Sequence, residues 1–115
     1  MEILEAKNYV KSTDFLPICQ KLYGKSKEIT EKVKKRYLRA LEKFQDLYPL
    51  RNEVQIFSAP GRTEIGGNHT DHQHGCILAA AVNLDVIGIV SFHEENVIRV
   101  ASEGYEAFEI SLEDL

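Results

Sequence analysis

The sequence predicts an α+β chain, with helices first and strands after, on three observations. From about Lys27 to Pro49 apolar residues recur at helical spacing; after Arg51 the period changes to the alternation of strands. Between the strand-like runs lies a glycine-broken stretch, residues 58–75, crowded with polar groups. Loops set on a rigid scaffold are where binding and catalytic groups collect, and glycines let backbone approach a ligand closely.

The elements follow in order. Thr13 or Asp14 can cap a short helix in which Phe15, Ile18, Cys19, Leu22 and Tyr23 share a face, with Pro17 in the tolerated first turn and Gly24 as its stop. The second helix carries Ile29, Val33, Tyr37, Ala40, Leu41, Phe44, Leu47 and Tyr48 as one stripe, and Pro49 pushes the preceding residue out of helical geometry. Val54, Ile56 and Ser58 alternate with Gln55 and Phe57 in a strand that runs into the polar loop. Beyond Gly75, residues 76–82 and 84–92 read as two nearly continuous apolar strands covered on both faces, although periodicity alone leaves a buried helix open for the first. Residues 97–101 and 108–112 complete the set, with a turn at Glu103 and Gly104.

The chain of 115 residues fits one domain with a core of its own. It contains no run of eighteen apolar residues, so no membrane-spanning helix is expected. The first residues lack the basic-then-apolar layout of a secretory signal, which makes the cytoplasm the expected compartment. Cys19 and Cys76 form no Cys-x-x-Cys pair and are expected as free, buried thiols. The net charge of −4 is unevenly spread. Residues 1–48 hold eleven Lys and Arg against seven Asp and Glu, and residues 49–115 hold three against eleven. The two parts therefore attract each other. The basic face of the second helix, Lys32, Lys35, Arg36, Arg39 and Lys43, reads first as a complement to its own domain and only second as a nucleic-acid surface, since no aromatic interleaving accompanies it.

In the loop, Arg62 offers a planar fork of donors suited to phosphate or carboxylate, and Asp71 offers acceptors for hydroxyls. Together they can hold a polyhydroxylated or phosphorylated ligand; the plainer alternative is a salt bridge that pins the loop. His69, His72 and His74 beside Asp71 raise a metal site, but their spacing matches no known zinc pattern, and structural or hydrogen-bonding histidines are the preferred reading. An acid–base pair lacks any Gly-x-Ser-x-Gly or catalytic cysteine context.

At this loop the sequence resembles the galactokinases, members of the GHMP family of sugar and metabolite kinases. Their first motif is approximately Gly-Arg-x-Asn-x-Ile-Gly-Glu-His-x-Asp-Tyr; Gly61, Arg62, Gly67, His69 and Asp71 match it in register, and the preceding Ser58, Ala59 and Pro60 are of the family kind. Four positions depart, with Glu64, Gly66, Asn68 and His72 standing where the family has Asn, Ile, Glu and Tyr. Asn68 can keep a hydroxyl bond that the family's glutamate makes, without the charge-assisted strength.

The resemblance implies an incomplete GHMP-kinase N-terminal domain, a mixed and largely antiparallel sheet, with residues 1–50 as a helical N-terminal segment and residues 51–115 as the first part of that domain. It implies that Asn68, His69 and Asp71 bind galactose or a related sugar and that Arg62 is catalytic, beside the anomeric hydroxyl. ATP with Mg²⁺ is the implied phosphoryl source, bound mainly by sequence outside this chain, and the rest of the kinase chain is the implied partner, with neither nucleic acid nor membrane. The glycine- and serine-rich phosphate loop and the later aspartate base of the family are absent here, so the 115 residues read as the N-terminal portion, inactive alone. The alternatives are a non-catalytic sugar sensor of the same family, a small metal-binding or interaction module built on the histidines, and nucleic-acid binding by the basic helix, which would weaken with salt and with charge reversal at Lys35 and Arg39.

Overall fold

Thr30, Val33, Tyr37 and Leu41 fall at three- and four-residue steps, and a helix stacks such positions on one face. That face of α3 (Lys27–Leu47) is the buried one, and two shorter helices pack on it. The structure, a computed structural model, describes residues 1–67 and 71–113, the side chain of Asp71 excepted. The element order is α1 (Ile3–Lys11), α2 (Leu16–Tyr23), α3, β1 (Gln55–Gly66), β2 (Leu78–Val90), β3 (Val97–Val100) and β4 (Phe108–Ser111), the α+β order expected.

Helix α1 is an element the sequence reading did not single out. Its signal is short, Ile3, Ala6 and Val10 on one buried face, and Glu2 at its start makes no side-chain capping bond. Helix α2 ends at Gly24, whose φ of 95° suits glycine, but neither Thr13 nor Asp14 caps it; the capping position is Phe15. Phe15 is held for its ring, which meets Tyr9 at 6.0 Å and Tyr37 at 5.2 Å, both edge-on. Of the expected stripes, Cys19, Tyr23, Val33, Tyr37 and Leu41 are buried, while Ile18, Leu22, Ile29 and Leu47 are exposed. Leu41 and Val10 are fully buried, contributing about 1.5–3 kcal/mol each.

The N-terminus ties the helices to the sheet. The Met1 amino group donates to the Val54 carbonyl at 3.1 Å, the Val54 amide to the Met1 carbonyl at 2.9 Å and the Ile3 amide to Asn52 at 2.7 Å. Val54 thereby joins the helical core, and Ile56, Ile87 and Ile89 pack against it from β1 and β2.

Strands β1 and β2 form a long antiparallel hairpin, and this corrects two expectations. The polar loop does not begin at Ser58: residues 58–66 belong to β1, because β2 is long enough to pair with them and Pro60 lies where a two-stranded ladder tolerates a missing donor. The runs 76–82 and 84–92 are not two strands but parts of one, Leu78–Val90, since a bulge rather than a turn absorbs Asn83. A third correction concerns burial. The helices cover one face of the hairpin, so Phe57 and Val86 on the opposite face are 54% and 73% exposed. Cys76 is likewise exposed, where a buried thiol was expected; Cys19 is buried, and both are free.

On the covered face sits the carboxylate of Asp85, with a side chain only 3% exposed. It accepts from Tyr23 Oη of α2 at 2.5 Å, from Ser58 Oγ of β1 and from Arg36 of α3, whose second nitrogen reaches the Asp85 carbonyl. Tyr23 Oη also meets Tyr37 Oη at 2.9 Å. Desolvation acts most strongly on Asp85 and would raise its pKa, yet the bonds from Ser58, Tyr23 and Arg36 with the Arg36 charge together hold the carboxyl below its ordinary range. Tyr23 is pushed well above the usual tyrosine value by burial first and then by its bond to Asp85.

The hairpin of β3 and β4 pairs Arg99 opposite Glu109, and Arg99 also reaches Glu95. Arg39 of α3 pairs with Glu103 in its turn. With Arg36 on Asp85, the attraction expected between the basic and acidic parts takes the form, among the described residues, of two ion pairs.

A carboxyl whose folded pKa is depressed contributes stability above its unfolded pKa, about 3.9, and loses it as pH falls through the folded value. Urea unfolding between pH 6 and pH 2 is therefore expected to show stability falling below about pH 4, with a shallower fall in Asp85→Asn. An Asp85→Asn slope equal to the wild type's would show that Asp85 contributes nothing to it.

Candidate functional site

The polar stretch is shaped by two glycines at register shifts. Pro60 pairs with Asp85 and Arg62 with Ala81, so Gly61 alone faces the three residues 82–84. A Cβ on Gly61 would lie 3.2 Å from the Leu84 carbonyl and 3.3 Å from Val82 Cγ2; the bulged strand comes that close because nothing projects there. Further on, Glu64 pairs with Ala79 and Gly66 with Leu78, leaving Ile65 as the extra residue on β1.

Gly67 closes the hairpin end. Its φ is 119°, and a Cβ there would stand 2.6 Å from the Cys76 carbonyl and 2.7 Å from Ile77 Cα. Backbone thus pinches against backbone at both ends of the connecting segment, residues 67–77. Its described residues include a 3₁₀ turn at Asp71–Gln73, then His74 with a φ of 62°, a left-handed conformation uncommon outside glycine.

Arg62 lies on β1 opposite Ala81, exposed, just beyond the Gly61 bulge. Asp71 opens the 3₁₀ turn, and its side chain falls outside the described residues, as do Asn68 and His69 entirely. His72 and His74 are exposed. Among the described residues no group of three or more His, Cys, Asp or Glu is placed to hold a metal ion. No helix among them is long and apolar enough to cross a membrane. A shallow cleft of roughly 500 Å³, lined by Arg51, Phe92, His93, Glu94 and Glu95, opens at the far end of the hairpin from this segment.

The sequence reading passed over Asp85 and its partners. The signal was there: one acid inside the apolar run 84–90 must find donors if its strand is covered, and Tyr23 of α2, Arg36 of α3 and Ser58 supply them.

Comparison with known proteins places its match on this same hairpin. Residues 42–92 match the galactokinase galactose-binding signature, from the last turns of α3 to just past β2. The chain is similar to the galactokinase of Staphylococcus carnosus, 37% identical over 76 residues, which is 64% of this chain and 19% of that protein. It is similar also to galactokinases of Dictyostelium discoideum, 38% identical over 57% of this chain and 13% of that protein, and of Lactococcus lactis, 29% over 64% and 19%. The chain therefore spans less than a fifth of the length of these curated relatives. No solved structure matches.

The two neighbouring glycines separate a required conformation from a permissive one. Gly67→Ala is expected to cost more than about 1 kcal/mol, from positive φ and backbone overlap together. Gly66→Ala meets no heavy atom within 4 Å and is expected to cost far less. Urea midpoints of the two variants measure this; equal midpoints would show that the pinch at Gly67 relaxes freely.

Proposed function

Because this chain is a relative of the galactokinases and carries their galactose-binding signature, we propose that it is the sugar-holding N-terminal part of a kinase that transfers the γ-phosphate of ATP to the anomeric hydroxyl of galactose. The observation that carries the reading is the coincidence between the matched residues, 42–92, and a single structural unit: β1, the glycine-pinched segment and β2. A segment held at both ends by backbone contact is a means of fixing polar groups around a small ligand.

In this reading Asp71 accepts hydrogen bonds from ring hydroxyls, with Asn68 and His69 completing the sugar pocket. Asn68 keeps an acceptor but no charge, and makes the weaker bond. Arg62 lies beside the anomeric hydroxyl. Its permanent charge stabilises the attacking oxygen and the negative charge on the transferred phosphoryl group; in such transfers positioning and electrostatics supply most of the rate. ATP with Mg²⁺ supplies the phosphoryl group and neutralises its charge. The chain has no glycine- and serine-rich phosphate loop, so ATP and its metal are held by sequence beyond these 115 residues. The chain alone is expected to be inactive.

The test uses the kinase with its downstream sequence and the 115-residue chain in parallel. Asp71→Ala is expected to abolish galactose binding and Arg62→Ala mainly to lower kcat, by about a hundredfold or more for loss of a transition-state donor. Unchanged kinetics in both variants would reject the site assignment, and ATP-dependent galactose phosphorylation by the 115-residue chain would overturn the division of labour.

A further inference from the structure

Strand β1 has three half-buried residues, Ile56, Ser58 and Glu64, among neighbours that are exposed. The first two meet the helical core and Asp85; Glu64 lies beyond the Gly61 bulge, where Arg62 emerges. We propose that Glu64 is a further binding residue of the sugar site, a carboxylate that accepts a ligand hydroxyl beside Arg62. The proposal rests on the functional reading above for the sugar and for the part that Arg62 plays.

The register places the two charges together. Arg62 pairs with Ala81, Thr63 with Ala80 and Glu64 with Ala79. Side chains alternate along a strand and directly opposed residues point the same way, so Arg62, Glu64, Ala81 and Ala79 share one face while Thr63 and Ala80 share the other. Arg62 and Glu64 therefore stand side by side, about 7 Å apart along β1. The partner strand gives that face only methyl groups, and both alanines are exposed. Two side chains of opposite charge thus flank a floor that leaves room for a small ligand, at the end of the hairpin that leads into the connecting segment.

Glu64 is also seated against the protein. Its Oε2 atom is shielded from solvent, although residues 59–63 and 65–66 around it are exposed. A carboxylate already held in place loses less freedom when a ligand arrives, which favours binding.

The chemistry of the two groups defines what fits between them. A guanidinium offers only donors and an ionised carboxylate only acceptors, so a ligand that satisfies both carries acceptors and donors close together. A polyhydroxylated ring does. A phosphate alone, all acceptor and negatively charged, is repelled at Glu64. The sequence departures agree with this. Against the galactokinase motif, Glu64 stands at an amide position and Asn68 at an acid position, so two residues four positions apart exchange one carboxylate and one amide. The stretch keeps its number of acids and carries one of them on the paired strand β1.

The experiment uses the kinase with its downstream sequence and compares Glu64→Gln, Glu64→Asn and a double variant, Glu64→Gln with Asn68→Glu, with the wild type. Galactose Kd is read by calorimetry, kcat and KM by steady-state phosphorylation, and folding by the urea midpoint. An amide in place of the carboxylate gives up the charge-assisted part of one hydrogen bond, so galactose Kd and KM are expected to rise about five- to tenfold in both single variants with kcat nearly unchanged. Adding Asn68→Glu is expected to recover most of that loss, because it returns a carboxylate to the position it has in the motif. Should Glu64→Gln not fold, Glu64→Asn, which carries the motif's own amide, decides. Unchanged galactose Kd in the folded single variants, beside a wild type that binds galactose, overturns this proposal alone. So does a fall in kcat with Kd unchanged, which marks Glu64 as a residue that only steadies Arg62. A loss of affinity that Asn68→Glu leaves untouched is indirect and overturns it as well. A wild-type kinase that binds no galactose overturns the sugar reading and, with it, the role given to Glu64.

Discussion

One buried carboxylate holds the parts of this molecule together. An isolated charge taken out of water costs several kcal/mol, and Asp85 is in effect out of water. Three side chains, from α2, α3 and β1, donate to it, which is why its carboxyl remains ionised despite burial. The arrangement makes those elements mutually dependent, because withdrawing any one leaves another's polar group without its partner in a dry place. Apolar contacts supply the bulk of the attraction between helices and sheet, but they are indifferent to small slips. The carboxylate is not.

That distinction explains how a strand containing Pro-Gly can stay ordered. Pro60 has no donor to give, and Gly61 admits the neighbouring strand to within contact of its backbone. A ladder that is interrupted there would ordinarily be a weak point. Flanked by Asp85 on one side and by the Gly67 pinch on the other, the interruption becomes a fixed feature, and Arg62 is the first side chain after it.

What was legible in the sequence follows the strength of periodic signals. The helix of residues 27–47, the stop at Gly24, the alternation of residues 54–58 and the terminal hairpin could all be read, since each rests on local spacing or a single special residue. The joining of residues 78–90 into one strand could not, because a bulge at Asn83 and a turn at Asn83 look alike until a partner strand is known. For the same reason the polar stretch was drawn nine residues too long at its start: residues 58–66 are polar in composition but paired in fact. Arg62 and Asp71 were expected as a pair from chemistry and motif, and the side chain of Asp71 lies outside the described residues. Asp85 was visible as an oddity in an apolar run, yet its meaning depends on Tyr23 and Arg36, 62 and 49 positions away, and no local pattern carries that.

The helical segment therefore matters more than its small share of the signature suggests. A two-stranded hairpin is marginal in water on its own, and this one exposes Phe57 and Val86 on its outer face. What keeps it ordered must come from the inner face: Val54, Ile56, Ile87 and Ile89 against the helices, the N-terminal pairing of Met1 and Ile3 with residues 52–54, and the Asp85 cluster. Much of the signature's geometry is thus imposed from outside it. Residues 42–92 can be matched as a motif, but Tyr23 and Arg36, which lie before them, supply the bonds that tie its buried Asp85 to the helices.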